Sequence, residues 1–194
     1  MASQPAPGAD EEPVPRSGRR LRWAVVLLAV LLLGVVVALA VTGSRGGSGE
    51  GSRSDAPREV SVRELRDFAA ASESAVYWAG AIPGRRLELT TARGGSVFVR
   101  YLRGDAVVGD ERPAFTTVGT YAFDGAYREV QRRGEGEGTE TREAPGGGLA
   151  TWSKARPSSV YLAFPGSDLL VEVYDPDPQR ARTLALSGEV GPVR

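Results

Sequence analysis

Few side chains of this sequence can carry out catalysis, because it contains neither histidine nor cysteine. Their absence excludes Ser-His-Asp and Cys-His arrangements, imidazole zinc sites and disulfide bonds. Ser153 and Lys154 are adjacent, but neighbouring residues of a strand point to opposite faces, and a Ser-Lys pair usually needs a Ser-x-x-Lys helical turn. Carboxylates and hydroxyls remain, and the sequence predicts no catalytic residue and no enzyme activity.

Paired carboxylates would allow one further chemistry, the hydrolysis of a glycosidic bond. The two acids of such a site must face each other across a cleft at about 5 to 10 Å, which no spacing along a sequence can establish. A small carboxylate-dependent envelope hydrolase that acts on cell-wall polymer is therefore kept as the alternative function.

Residues 134–148 combine six glycines with Glu135, Glu137, Glu140 and Glu143. A calcium-binding loop would have alternating Asp or Asn, a fixed Gly and a terminal Glu, and that pattern is absent. The three glycines at the end of the segment also lack the Lys and Ser or Thr of a phosphate-binding loop. We therefore predict a mobile, solvated loop here, and no metal, nucleotide or other cofactor.

Aromatic side chains give the chain its candidate binding residues. Flat amphipathic rings stack on glycans and peptides, although aromatic residues of a strand more often belong to the core. The candidate interaction residues, all in predicted strands, are Trp78, Tyr101, Tyr121 and Trp152.

The elements that must position these side chains follow from periodicity and turn residues. Ser61 and Glu64 form a capping box before apolar residues at helical spacing, which predicts a helix at 61–73. Alternating apolar residues bounded by Gly and Pro predict seven strands. They are expected at 75–79, 86–91, 96–102, 115–121, 149–152, 159–164 and 169–174, with a short helix around Tyr127 and Val130 between the fourth and the fifth.

The end of the chain is predicted to hold a hairpin and a helix. The last two strands flank a Pro-Gly turn and are expected to pair. Asp175 is predicted to cap a final helix, with Pro176 at its first position. Together the elements predict one α+β domain at 57–194, with a mainly antiparallel sheet and two or three helices on one face.

An apolar run precedes this domain. Residues 23–41 carry no charge and include 13 Leu or Val, and a helix of that length spans about 28 Å, close to the apolar thickness of a bilayer. We predict a single transmembrane helix at 23–42. Arg16, Arg19, Arg20 and Arg22 lie on its N-terminal side, so the positive-inside rule places residues 1–22 in the cytoplasm and the C-terminal domain outside.

A cleaved export signal is the competing interpretation of the same run, since residues 38–40 form an A-x-A pattern. The apolar run is longer than the 7 to 15 residues typical of a signal's core, which favours retention as a signal-anchor. Both interpretations export the same domain.

Composition indicates two unstructured segments and no polyanionic partner. Residues 1–22 contain too little apolar surface to fold, and residues 43–56 form a Gly/Ser-rich linker with a reach of roughly 20 Å. Residues 57–194 carry 18 basic and 19 acidic residues without clustering, so we expect no nucleic-acid binding.

Two stretches of the chain are similar to each other. Residues 76–79 and 160–163 are each followed by Pro-Gly and a second apolar run, which is consistent either with a duplication or with common hairpin chemistry. These stretches, with residues 98–102 and 117–121, resemble a group of uncharacterised, membrane-anchored exported domains of high-GC Gram-positive bacteria. The resemblance covers roughly residues 76–194, and it implies the topology but no activity.

The sequence therefore predicts a bitopic protein of the cell membrane that presents an extracytoplasmic binding domain. The expected partners are the lipid bilayer, contacted by the transmembrane helix, and another envelope protein or a cell-wall polymer.

Overall fold

The computed structural model describes residues 55–194. The predicted tail, the predicted transmembrane helix and all but the last two residues of the predicted linker lie outside this range. Within it, none of the helices has both the length and the apolar character needed to cross a bilayer.

The described residues form ten strands and three α-helices. In chain order they are β1 Asp55–Val60, α1 Val62–Ala71, β2 Tyr77–Trp78, β3 Arg85–Thr91, β4 Val97–Arg103, β5 Thr116–Ala122, α2 Ala126–Gly134, β6 Thr139–Ala144, β7 Gly148–Ser153, β8 Arg156–Ala163, β9 Leu169–Tyr174, α3 Pro178–Ser187 and β10 Gly191–Pro192.

Eight strands form one antiparallel sheet in the order β1-β3-β4-β5-β9-β8-β7-β6. The order divides it into two meanders of four strands, β1-β3-β4-β5 and β6-β7-β8-β9, and each is followed in the chain by a helix. The meanders join where β5 pairs antiparallel with β9. The short strands β2 and β10 pair separately with each other.

A row of valines crosses the junction between the meanders. Val99 pairs with Val118, Val118 with Val173, and Val173 with Val160, and all four are 0% exposed. Burying a valine stabilises a fold by roughly 1.5–3 kcal/mol, so each valine of this row contributes to the stability of the core.

Alternation along the strands assigns the helices to the two faces of the sheet. Leu65 of α1 and Leu184 of α3 pack with Leu162 in the main core, on what we call the α1/α3 face. Val130 of α2 packs with Ala163, the next residue of the same strand, on the α2 face. Successive strand residues point to opposite faces, so two helices share one face and the third covers the other.

Most predicted elements are confirmed. The Ser61–Glu64 capping box is present, β9 has the predicted bounds, and β8 and β9 pair as the predicted hairpin. The coarse prediction, an α+β domain with a mainly antiparallel sheet, is also confirmed. The two similar stretches differ in structure, however, because β8 pairs with β9 whereas β2 pairs with β10 and not with β3.

Two predictions are wrong. The predicted mobile loop at 134–148 contains β6, which pairs along its whole length with β7. Its residues are polar because it is the last strand of the sheet, so it lacks the apolar alternation that marks a strand. The cap of α3 is Asp177, with Pro178 at the first position, and not Asp175 with Pro176. Asp175 is instead buried, where it accepts a hydrogen bond from the Thr116 hydroxyl.

The contact between α2 and β6 gives a stability prediction. Gly134 is the last residue of α2, and a Cβ added there would overlap the hydroxyl of Thr141 in β6. Gly134→Ala is expected to lower the free energy of unfolding by about 1–3 kcal/mol through overpacking, although alanine is ordinarily the better helix former. Urea denaturation followed by tryptophan fluorescence measures the effect.

Gly191→Ala is the matched control, because a Cβ at that position meets no atom within 4 Å. A Gly134→Ala protein as stable as the parent would show that α2 does not approach β6 so closely.

Candidate functional site

The four candidate aromatic residues are not brought together. Tyr101 is 1% exposed, and its hydroxyl accepts a hydrogen bond from the Ala79 N–H at 2.6 Å and donates one to the Gly80 carbonyl at 3.1 Å. It therefore holds the segment between β2 and β3 in place. Trp78 is half-buried and packs against the core of the α1/α3 face.

Tyr121 lies on the opposite face of the sheet. Its hydroxyl donates a hydrogen bond to the Glu172 carboxylate at 2.8 Å, and its ring meets Phe98 edge to face, with the ring centroids 5.6 Å apart. Burial first, and then the negative charge of Glu172, raise the pKa of Tyr121 well above its usual value. This tyrosine satisfies a buried carboxylate and is not a free contact surface.

Trp152 is the candidate that lies beside an open surface. It is 4% exposed and forms the floor of a groove of about 570 Å³ between the β6 edge and α3. The side chains around the groove are mostly polar. They are Glu140 and Arg142 of β6, Trp152 of β7, and Gln179, Arg182, Thr183, Leu186 and Ser187 of α3.

The sheet register and the helical repeat explain why these side chains converge. Glu140 pairs with Trp152 across β6 and β7, so both point to the α1/α3 face, and Arg142 follows Glu140 by two residues on the same face. Residues 179, 182, 183 and 186 recur at the spacing of one helical face, and the Asp177 cap fixes the start of α3.

The groove offers positive charge and hydrogen-bond donors. Within residues 55–194 the Arg142 side chain forms no ion pair and no hydrogen bond. The Arg182 guanidinium lies 5.9 Å from the Trp152 ring centroid and donates to the Gln179 side-chain oxygen at 3.1 Å. Two arginines and one glutamate leave the lining with one net positive charge. Such an arrangement suits an anionic group on a polar ligand.

The buried charges elsewhere have structural partners. The Glu88 carboxylate is 0% exposed; it accepts from Arg100 at 2.7 Å and from the Gly109 N–H at 2.6 Å. Arg100 in turn donates to the Asp110 carbonyl at 2.6 Å. This network fixes the connection between β4 and β5.

Between residues 55 and 194, no three Asp or Glu side chains are grouped closely enough to hold an ion. Two of the four glutamates predicted to share a loop, Glu140 and Glu143, lie on β6, three residues apart, and so point to opposite faces.

Of the residues that line the groove, Trp152 was a candidate from the sequence, whereas Arg142 and Arg182 were not; these two arginines are 40 residues apart and lie on different elements. Glu140 and Arg142 lay inside the predicted loop. The available signal was the alternation of charged residues at 140 and 142, which is typical of a solvent-exposed edge strand.

The fold and the groove define an α+β domain with an open polar groove beside a sheet edge. A comparison with known protein families, with curated proteins and with solved structures found no match.

The buried and half-buried tyrosines predict how the domain responds to alkali. Five tyrosines have a raised pKa, and burial is the largest cause for each of them. They are Tyr77, Tyr101, Tyr121, Tyr161 and Tyr174. A phenol with a higher pKa in the folded state contributes stability that is fully present below the unfolded value of about 10 and is lost as the pH rises above it.

We therefore expect phenol ionisation, followed by absorbance at 295 nm, to coincide above pH 10 with cooperative loss of the circular-dichroism signal. Ionisation of all six tyrosines near pH 10 in a domain that keeps its signal would contradict the buried arrangement.

Proposed function

We propose that the chain is a single-pass membrane protein whose N-terminus lies in the cytoplasm and whose folded domain binds a component of the cell envelope outside. The uncharged run at 23–41, the arginines before it and the Gly/Ser-rich residues after it support this topology. We also propose that it belongs to the group of membrane-anchored exported domains that residues 76–194 resemble.

The groove between β6 and α3 carries the binding proposal. Its lining presents hydroxyl, amide and guanidinium groups, and its apolar members are Leu186 and the buried Trp152. Protein interfaces are usually anchored by exposed aromatic or aliphatic side chains in pockets, whereas polar polymers are bound through many hydrogen bonds. The groove therefore favours a cell-wall polymer that carries carboxylate or phosphate groups over an envelope protein.

The alternative function, hydrolysis of wall polymer, needs two carboxylates across a cleft. Glu140 is the one carboxylate of this groove. The geometry of the groove thus supports binding without cleavage.

Topology is tested with reporter fusions to the full chain in a bacterial host. Alkaline phosphatase fused after Arg194 is expected to be active, because it folds only outside the cytoplasm, and a fluorescent protein fused before Met1 is expected to fluoresce inside. The opposite pattern would contradict this orientation. Phosphatase activity in the soluble fraction would show that the apolar run is cleaved as an export signal, which would contradict a retained anchor.

Binding is tested on the full chain in detergent, with soluble anionic wall-polymer fragments as the probe and uncharged glycan fragments for comparison. Arg182→Gln and Arg142→Gln are each expected to weaken binding of the anionic fragments about tenfold, or roughly 1.4 kcal/mol, through loss of a charge-assisted hydrogen bond. Isothermal titration measures the affinity.

Arg93→Gln is the matched control, since Arg93 is exposed in the turn between β3 and β4, away from the groove lining. Equal losses in all three variants would point to unspecific charge attraction. If an envelope protein, and not the polymer, bound in an Arg182-dependent manner, the ligand class would be wrong.

A further inference from the structure

The two edges of the sheet differ in how well they are protected against pairing with another strand. At one edge, β1 contains Pro57, which has no N–H, and its register shifts between Asp55 and Arg58. Proline and bulges are devices that block edge-to-edge association. At the other edge, β6 has no proline and pairs with β7 in one unbroken register, and residues 140–143 are exposed.

The hydrogen bonds to β7 show which backbone groups of β6 point outward. The Gly138 carbonyl accepts a hydrogen bond from the Lys154 N–H, and the Glu140 carbonyl accepts one from the Thr151 hydroxyl. The backbone N–H and C=O groups of the even-numbered residues of β6 therefore point towards β7. In an antiparallel pair, the backbone groups of successive residues point alternately towards the partner strand and away from it. The N–H and C=O groups of Thr141 and Glu143 therefore point away from the sheet, where the described residues place no further strand.

From this edge we propose that the chain forms a homodimer, in which β6 of one copy pairs antiparallel with β6 of a second copy. The charges of β6 select a single two-fold register. With the axis at Thr141, Glu140 lies opposite Arg142 of the second copy, and Arg142 lies opposite Glu140. Opposite charges across antiparallel strands are stabilising.

The neighbouring registers are unfavourable. An axis at residue 140, 142 or 143 places the charged side chain on the axis opposite its own copy, and like charges directly opposite destabilise a sheet. An axis at Thr139 forces pairing into the turn before β6, where the Thr139 N–H already donates to the Gly136 carbonyl. Charge and backbone geometry thus agree on Thr141.

The Thr141 register also satisfies the outward backbone groups. The two copies of Thr141 exchange a pair of N–H···O bonds, and the Glu143 N–H of each copy donates to the Thr139 carbonyl of the other. The axis is perpendicular to the sheet, so the α1/α3 faces of both copies lie on the same side. The two grooves then meet along the paired β6 strands and form one wider groove with an α3 helix as each wall.

Light scattering on the full chain in detergent tests the proposal. The parent protein is expected to have twice the chain mass of 20.5 kDa. Glu140→Arg alone and Arg142→Glu alone each create like-charge pairs at the interface and are expected to weaken the dimer at least tenfold. Both residues are exposed, and circular dichroism checks that each variant is folded.

The two single variants complement each other. When Glu140→Arg protein is mixed with Arg142→Glu protein, opposite charges face each other again at both positions, so a heterodimer is expected. The double variant is likewise expected to form a homodimer. A monomeric parent protein, or a dimer whose affinity neither single variant changes, would overturn the proposed interface.

Crosslinking gives a second measurement that does not depend on charge. The chain lacks cysteine, so Thr141→Cys introduces a single thiol, and two such residues lie about 5.5 Å apart at the proposed axis. A short bismaleimide is expected to crosslink Thr141→Cys chains in membranes, and not Arg93→Cys chains. Equal crosslinking at both positions, or at Arg93→Cys alone, would contradict the interface.

Discussion

The antiparallel pairing of β5 with β9 is the contact on which the other features of the domain depend. It joins Val118 to Val173, residues far apart in the chain, and it continues the buried valine row from one meander into the other. Each remaining strand of the sheet is placed by its neighbour within a meander. Without this junction there would be two separate four-stranded sheets, and the buried valine row would be divided between them.

The helices interlock the two meanders further. Although α2 follows β5 of the first meander, it packs on β6, β7, β8 and β9 of the second. Its last residue, Gly134, lies against Thr141, which holds β6 at the edge of the sheet. On the other face α3 contacts β8, β9 and β6. The groove lies between α3 and the side chains of Glu140 and Arg142, which stay exposed on β6.

Sequence patterns predicted the elements that carry local signals, such as apolar residues at a regular spacing or a capping residue. The β9 strand and the Ser61–Glu64 cap are examples, because apolar alternation and capping residues are local signals. The β6 strand was missed because an edge strand in contact with water can be polar throughout. Asp175 was misassigned because two Asp-Pro pairs follow β9 and only the second begins the helix, while the first carboxylate is used by Thr116.

The candidate site was less predictable than the fold. Long-range packing buries Tyr101 and half-buries Tyr121, which no local pattern distinguishes from exposure. Arg142 and Arg182 line the same groove only because the second meander places β6 beside α3. The position of a side chain in the strand order, and not its type, decides whether it reaches the groove.

We propose that the β6 edge is the surface by which this domain pairs with a second copy of the chain. Residue-resolved amide hydrogen exchange of the full chain in membranes tests it most directly. If β6 is paired with a second copy, the outward N–H groups of Thr141 and Glu143 will exchange as slowly as that of Arg142, which faces β7. Fast exchange of Thr141 and Glu143 at every protein concentration, with Arg142 protected, would show an unoccupied edge and contradict the account.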